Sequence, residues 1–400
     1  MTISTTQIFR LGINAILDQQ EGLARTQLQI ASGKRIQTPS DDPSGAVKVI
    51  DINEQIATAE QHLRNSQFAR TELSLEEGAM TGAQNVIQRV RELIIQANND
   101  TQSEDTRQGI ATEIRARRDE LLALSNSRNA SGDYLFAGFK LDNQPFSLSG
   151  GNVIYNGDQG QRRIQVGPSS FIPISDSGVD VFQLIKTGNG ILTVDDTASN
   201  TGSGTVRSLS QNGSFVSDTY ALNFIQLAPA GPITYEVRDS SAALVSSGAY
   251  ESGGSISFNG ISMVVEGVPA NGDSFTVSPS TNQDVFTTLT NIIAALEAPS
   301  TDLADNASLH NDMNENLNNI DQALDNFLRV RSNIGSRLNN LDSQSEVNEN
   351  FLLRMRSAAS EVQDLDFAEA ISRLSAQATS LEAAQKVFVE VQRLSLFNFL

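Results

Sequence analysis

The sequence predicts an α+β protein in which a long antiparallel helical bundle, a coiled-coil rod, is built from both chain ends, with β-rich domains inserted in the middle. Three observations predict it. Helix breakers are concentrated: 18 of the 28 glycines and 7 of the 10 prolines lie between Leu141 and Ser280. The ends are therefore free to run as long helices while the middle must turn often. The C-terminal third repeats apolar residues at alternating three- and four-residue steps, which is a coiled-coil seam. The middle carries Asn-Gly pairs flanked by short alternating apolar runs, the chemistry of tight hairpins.

Residues 1–32 read as an N-terminal assembly helix, amphipathic through Ile8, Leu11, Ala15, Leu23 and Ile30. A connector from Ser32 to Ala46 follows. Gly33 stops the first helix, Ser40 or Asp41 caps the next, and Pro43 sits in its first turn. Arg35, Pro39 and Asp42 complete this signature loop, which as a local pattern is also what a plain helix–turn–helix connector looks like. Residues 33–140 form the N-terminal half of the rod. Their apolar stripe passes through Val49, Ile52, Ile56, Ala59, Leu63, Leu73 and Met80, and resumes through Ile87, Val90, Ile94 and Ala97. Asn98-Asn99-Asp100 breaks it. Ser103, followed by Glu104 and Asp105, opens another helix to about Asn126.

Residues 141–189 read as a first β domain and 190–280 as an inserted β module. Two hairpins are expected: Val153–Tyr155 against Ile164–Val166 across Asn156-Gly157, and Ile256–Phe258 against Ile261–Val265 across Asn259-Gly260. Residues 281–363 return as the C-terminal half of the rod. Its seam runs through Met313, Leu317, Ile320, Leu324, Phe327, Arg331, Ile334, Leu338, Leu341, Ser345, Asn348, Leu352, Met355, Ala359 and Val362, twelve of these fifteen apolar. As one helix, Asp302 to Gln363 would span about 90 Å. Residues 364–400 form a C-terminal assembly helix through Ile371, Leu374, Ala378, Leu381, Phe388 and Val391. It ends on Leu394, Leu396, Phe397, Phe399 and Leu400, a cluster apolar enough to need a partner.

Composition narrows the function. The 400 residues carry 47 acidic and 28 basic side chains, a net charge of −19. That balance disfavours nucleic acid and anionic membrane surfaces. There is no cysteine, which removes disulfides and thiolate metal sites. The two histidines, His62 and His310, are far apart in sequence. Residues 1–20 lack a basic segment followed by an apolar core, so no Sec-type signal is expected. No nucleophile elbow, phosphate loop, zinc helix or calcium loop is present. Asp41-Asp42 and Asp195-Asp196 are paired carboxylates, but neighbours in sequence serve loops and caps more readily than one substrate. Arg115, Arg117 and Arg118 read as a solvated face beside Glu113, Asp119 and Glu120. Neither an enzyme nor a cofactor is expected.

The run Ser32-Gly33-Lys34-Arg35-Ile36, then Pro39-Ser40-Asp41-Asp42-Pro43-Ser44-Gly45-Ala46, resembles the hallmark loop of the bacterial flagellin superfamily. Residues 89–97 (Arg89-Val90-Arg91-Glu92-Leu93-Ile94-Ile95-Gln96-Ala97) resemble its second signature, and Asp366-Phe367-Ala368-Glu369-Ala370 its C-terminal one. The similarity covers roughly residues 1–140 and 284–400. Gly132-Asp133-Tyr134-Leu135-Phe136-Ala137-Gly138, Pro145-Phe146-Ser147, Tyr155-Asn156-Gly157-Asp158 and the final Leu-Ser-Leu-Phe-Asn-Phe-Leu resemble the hook–filament junction branch of that superfamily. The larger β region departs from its shortest members.

The resemblance implies a structural protein joining the flagellar hook to the filament, outside the cell, after unfolded export through the flagellar type III apparatus. It implies four partners: the hook-side junction protein, flagellin, further copies of the chain in a ring, and a cytoplasmic chaperone on the C-terminal helix. The terminal residues named above, from Ile8 to Ile30 and from Ile371 to Leu400, would be the assembly and chaperone surface. A flagellin proper is the nearest alternative, and a surface enzyme carried on a flagellin-like rod a distant one.

Overall fold

The computed structural model describes residues 5–99, 101–228, 231–299 and 302–393. The chain divides into two compact units, residues 1–64 with 343–400 and residues 65–342. Four of the helices follow the expected boundaries: α1 (Thr5–Ser32), α2 (Pro43–Ala97), α3 (Glu104–Ser125) and α5 (Leu303–Gln363), the last a single helix of 61 residues. Ser103 caps α3 by accepting from the Thr106 amide. The helices α4 (Val285–Glu297) and α6 (Phe367–Arg393) complete the set, and Asp284 caps α4 through the Thr287 amide.

In the first unit α1 lies antiparallel to α6. Gln19 Nε2 donates to Ser380 Oγ at 3.1 Å, Thr26 Oγ1 to Gln377 Oε1 at 2.8 Å, and the Phe9 ring sits 5.1 Å from that of Phe388. The beginning of α2 meets the end of α5, with Arg356 donating to Glu60 at 2.7 Å. The buried apolar side chains here are few, among them Ile36, Val49, Ile52, Leu352 and Leu365.

The second unit holds most of the core. Its α2 and α5 segments are antiparallel, joined by Arg91–Asp321 at 2.6 Å, Arg331–Glu77 at 2.6 Å and an Arg70–Asp342 pair. The short strands β1 (Phe146–Ser149) and β2 (Asn152–Tyr155) pair with each other, as do β3 (Arg163–Gln165) and β4 (Phe171–Pro173). The expected pairing of Val153–Tyr155 with Ile164–Val166 is therefore wrong. The turn lies one hairpin earlier, where Gly150 and Gly151 both take positive φ. Asn156-Gly157 instead packs under Tyr155, so that a Cβ on Gly157 would lie 2.4 Å from the Tyr155 hydroxyl. A single π-helical turn, Val179–Gln183, precedes β5 (Ile185–Lys186). It places Phe182 against Phe136, Phe146, Phe286 and Phe327 at centroid distances of 5.3–6.1 Å. The repeated Asp-Val-Phe triplets at 180–182 and 284–286 thus meet in one aromatic core.

Beyond β5 the chain builds a separate β core. Strands β6 (Leu192–Asp196), β7 (Thr205–Gln211), β8 (Tyr220–Ile225), β9 (Thr234–Arg238) and β10 (Leu244–Ala249) are followed by β11 (Ser255–Phe258), β12 (Ile261–Glu266) and β13 (Ser274–Pro279). One sheet has the order β10-β9-β8-β13-β6 and the other β11-β12-β7, with every pairing antiparallel. Alternation decides the buried face: Tyr220, Leu222 and Phe224 point inward beside Phe275 and Val277, and close against Ile256, Phe258 and Met263. The expected hairpin across Asn259-Gly260 forms. Both residues take positive φ, and a Cβ on Gly260 would come within 2.4 Å of the Phe215 amide. The chain leaves through β14 (Asn282–Gln283), paired with β5.

Candidate assembly surfaces

The signature loop acts as a clamp. Gly33 takes φ +71 after α1, a conformation that costs glycine little. Its carbonyl accepts from the Leu365 amide at 2.9 Å, and the Arg35 amide donates to the Gln363 carbonyl at 2.7 Å. Arg35 also reaches the Val362 carbonyl at 2.8 Å and the Asp42 carboxylate at 3.4 Å. Asp41 accepts from the Thr38 and Gln37 amides at 2.9 and 3.2 Å, bonds that hold its carboxyl below the usual range. Asp42, not Ser40 or Asp41, caps α2, accepting from the Gly45 amide at 2.9 Å, and Pro43 is the first helical residue. Pro39 lies in the bend before the cap. The loop thus ties the end of α1 to the α5–α6 junction, beyond what a simple connector requires.

The terminal pair α1–α6 is joined along a narrow seam. On α1 the covered positions are Gly12, Ile16, Gln19, Gly22, Leu23, Thr26, Gln29 and Ile30; on α6 they are Ala370, Leu374, Gln377, Leu381, Ala384 and Phe388. The α6 positions follow four-three spacing, and on α1 the same spacing is widened by Gly22 and Gln29. A Cβ on Gly12 would lie 2.9 Å from the Phe388 ring, so glycine sets the closest approach. Of the sequence-derived surface residues, Leu23, Ile30, Leu374, Leu381 and Phe388 are half-buried in this seam. Leu11 and Ile371 turn away from it, 61% and 53% exposed, and Val391 is exposed too. Leu17 and Leu28 on α1 and Val387 and Val389 on α6 join them as apolar side chains left uncovered. The side chain of Ile8 and the residues Leu394, Leu396, Phe397, Phe399 and Leu400 lie outside the described residues.

The rod seam is placed in part. Ile320, Phe327, Ile334, Leu341 and Leu352 are buried, and Met355 is half-buried. Leu317, Leu324 and Leu338 only flank the core. The deeper second position falls one residue earlier, at Asn316, Ala323 and Val330. In the second unit α5 is covered on more than one side, and the buried stripe is correspondingly wider than a two-helix seam. Sequence reasoning also missed a buried polar knot between α2 and the segment after β4. Arg337 grips Asp176 at 2.8 and 3.0 Å, Arg162 meets Glu72 at 3.3 Å, and Asn129 donates to Glu72 at 3.0 Å. Glu76 accepts from the Asp176 amide at 3.0 Å, and its other oxygen has no partner among the described residues. Burial, then the Asp176 charge, pushes its carboxyl up to about 8. The available signal was Glu72 and Glu76, one turn apart inside an apolar stripe.

Asp195 and Asp196 sit on β6, not in a loop or at a cap. Arg115 reaches Glu297 at 2.5 Å, Arg117 meets Glu120 at 2.7 Å, and Arg118 meets Asp119. Among the described residues no three His, Asp or Glu side chains are placed to hold a metal ion, and no helix is long and apolar enough to cross a membrane.

Comparison with known proteins agrees with this architecture. Residues 3–140 match the bacterial flagellin N-terminal helical region and residues 317–400 the C-terminal helical region. The chain is 26% identical over 399 residues to the flagellar hook-associated protein 3 of Escherichia coli K12, covering 100% of this chain and 99% of that one. Among solved structures, FlgL of Xanthomonas campestris superposes with a TM-score of 0.72 at 34% identity, over 77% of this chain and 99% of that one. The flagellar junction protein FlgL of Legionella pneumophila gives a TM-score of 0.72 at 34% identity, over 79% and 99%.

Proposed function

We propose, because this chain belongs to the hook-associated protein 3 (FlgL) family of flagellin-like flagellar proteins, that it is the structural adaptor joining the flagellar hook to the filament. It sits as a ring of copies between the hook-side junction protein and the first flagellin layer, outside the cell, having left through the flagellum's own type III apparatus. Similarity over the full length, rather than over the helical ends alone, favours the junction role over a filament subunit.

One observation of the chain itself supports the reading most. The paired terminal helices leave large apolar side chains uncovered, Leu11, Leu17 and Leu28 on α1 and Ile371, Val387 and Val389 on α6. Covering each such side chain is worth roughly 1.5–3 kcal/mol, enough in sum to drive association with neighbouring subunits. The exposed apolar side chains of α6 are what a cytoplasmic chaperone would shield before export.

The test is a strain lacking the gene. It should make hooks without filaments and shed flagellin into the medium, and complementation should restore attachment. Bundles of filament missing altogether, with no flagellin shed, together with a copy number like that of flagellin, would favour the filament-subunit reading instead.

A further inference from the structure

The β core meets α5 almost entirely through polar groups. Asn311 Oδ1 accepts from the Val206 amide at 2.8 Å, and Asn311 Nδ2 donates to the Gly204 carbonyl at 3.2 Å. Asn314 donates to the Val206 carbonyl at 3.2 Å, and Asn319 accepts from the Gly188 amide at 2.6 Å. A cavity of about 250 Å³ remains between β6, β7 and α5. Carboxylates gather here from both sides. Asp196 of β6 and Glu315 of α5 line the cavity, and the neighbouring Asp195 and Asp312 act on Glu315 through their charge.

Among the described residues no cation pairs with them. Arg207, the cation among the described residues lining the cavity, pairs with Glu266 of β12 at 3.3 Å. The other titratable groups on this stretch of α5 face elsewhere: His310 Nδ1 lies 2.6 Å from Asn98 Oδ1, and Asp321 pairs with Arg91. Among the described residues the cluster's hydrogen-bond partners are neutral. Asn311 donates to Asp196 at 3.4 Å, and Thr193 to Glu315 at 3.5 Å.

We propose that this carboxylate cluster makes the seating of the β core on α5 dependent on pH, firm in mild acid and loosened as Asp196, Asp312 and Glu315 ionise together. The physical cause is the loss of water around groups of like charge. Burial, then the Asp196 charge, raises Asp312 to about 6; burial, then Asp195 and Asp312, raises Glu315 to about 7. Asp196 is raised chiefly by burial. These groups bind protons more tightly when the β core is seated. Seating is therefore strongest below their ordinary carboxylate range and weakens as pH rises through about 6 and 7. The pairings of β13 with β8 and of β8 with β9 involve none of these carboxylates and keep their bonds, so the β core moves without unfolding.

The full chain labelled with ¹⁵N-valine provides the test. The Val206 amide, bonded to Asn311, reports seating, whereas the Val277 amide in the centre of β13 reports the integrity of the sheet. After correction for intrinsic exchange, Val206 should lose protection about tenfold per pH unit between 6 and 7, while Val277 holds. The double variant Asp312→Asn/Glu315→Gln should show no such slope, and the single variant Asp196→Asn a shallower one. If the double variant loses its helical circular dichroism, the single variant decides. A Val206 protection independent of pH, an equal loss at Val277, or an undiminished slope in the readable variant would each overturn the proposal.

Discussion

Glu76 shows what one buried side chain implies for the molecule. It lies on α2, fully covered, one oxygen on the Asp176 amide and the other without a partner among the described residues. Its carboxyl is raised to about 8, so the folded chain holds the proton at neutral pH. Its contribution is complete below the ordinary glutamate range and is lost as pH rises through about 8. The second unit should melt roughly 3–5 °C lower for each pH unit between the ordinary glutamate range and about 8, and level off above it. Glu76→Gln, which mimics the protonated group, should remove this part of the slope; a variant with the wild-type slope between about pH 5.5 and 7.5 would show that Glu76 is already ionised there. Asp42 is a simpler case. As the cap of α2 it accepts from the Gly45 amide at 2.9 Å. Asp42→Ala should cost about 1 kcal/mol locally. The amides of Gly45 and Ala46 should then exchange about fivefold faster, while α3, capped by Ser103, serves as the unchanged control.

Helices and strands were legible to different depths in the sequence, and the reasons are physical. The 61 residues of α5 repeat one pattern so often that its existence and length stand out against any local noise. Its facing was less legible. A stripe covered on several sides contains both Phe327–Val330 and Phe327–Leu324 spacings, and only packing decides that Val330 is buried while Leu324 stays half-covered. Phe327→Ala should therefore cost about 3–5 kcal/mol in thermal or urea unfolding of the second unit, whereas Leu324→Ala should cost clearly less. Equal losses would return the seam to the position the sequence suggested. The short strands were the weakest part. Val153–Tyr155 alternates well, but a run of three residues names no partner, and two glycines at 150 and 151 turn the chain before Asn156-Gly157 can. The Asn259-Gly260 hairpin was readable because its two runs, Ile256–Phe258 and Ile261–Val265, stand directly on either side of a two-residue turn, which leaves a single register. At the candidate surfaces the signature loop was read from its residues, but its clamp onto residues 362–365 was not, since that depends on chain more than 300 residues away.

For the molecule as a whole, the way the β core is attached makes a prediction about what the helices need. The chain enters and leaves it at adjacent points. The Ser280 amide donates to the Ile191 carbonyl at 2.8 Å, the Thr187 amide to the Thr281 carbonyl at 3.0 Å, and β5 pairs directly with β14. Its hydrophobic side chains form a cluster of their own, separate from the one that binds α2, α3, α4 and α5. What it covers on α5 is polar: Asn311, Asn314, Glu315 and Asn318 would meet water without penalty if it were gone. Replacing residues 190–280 by a short Gly-Ser bridge should then leave the helical transition within a few degrees of wild type, because closing so short a gap costs little loop entropy. A protein cut in this way should still be exported and should restore filament attachment in a strain lacking the gene, if attachment rests on the terminal helices alone. Measuring the melt, the exported amount and the number of filaments on the same strain separates the possibilities. A lowered melt would mean that the β core supports the helices after all. A normal melt and normal export without filaments would mean that the β core itself touches a neighbour in the junction.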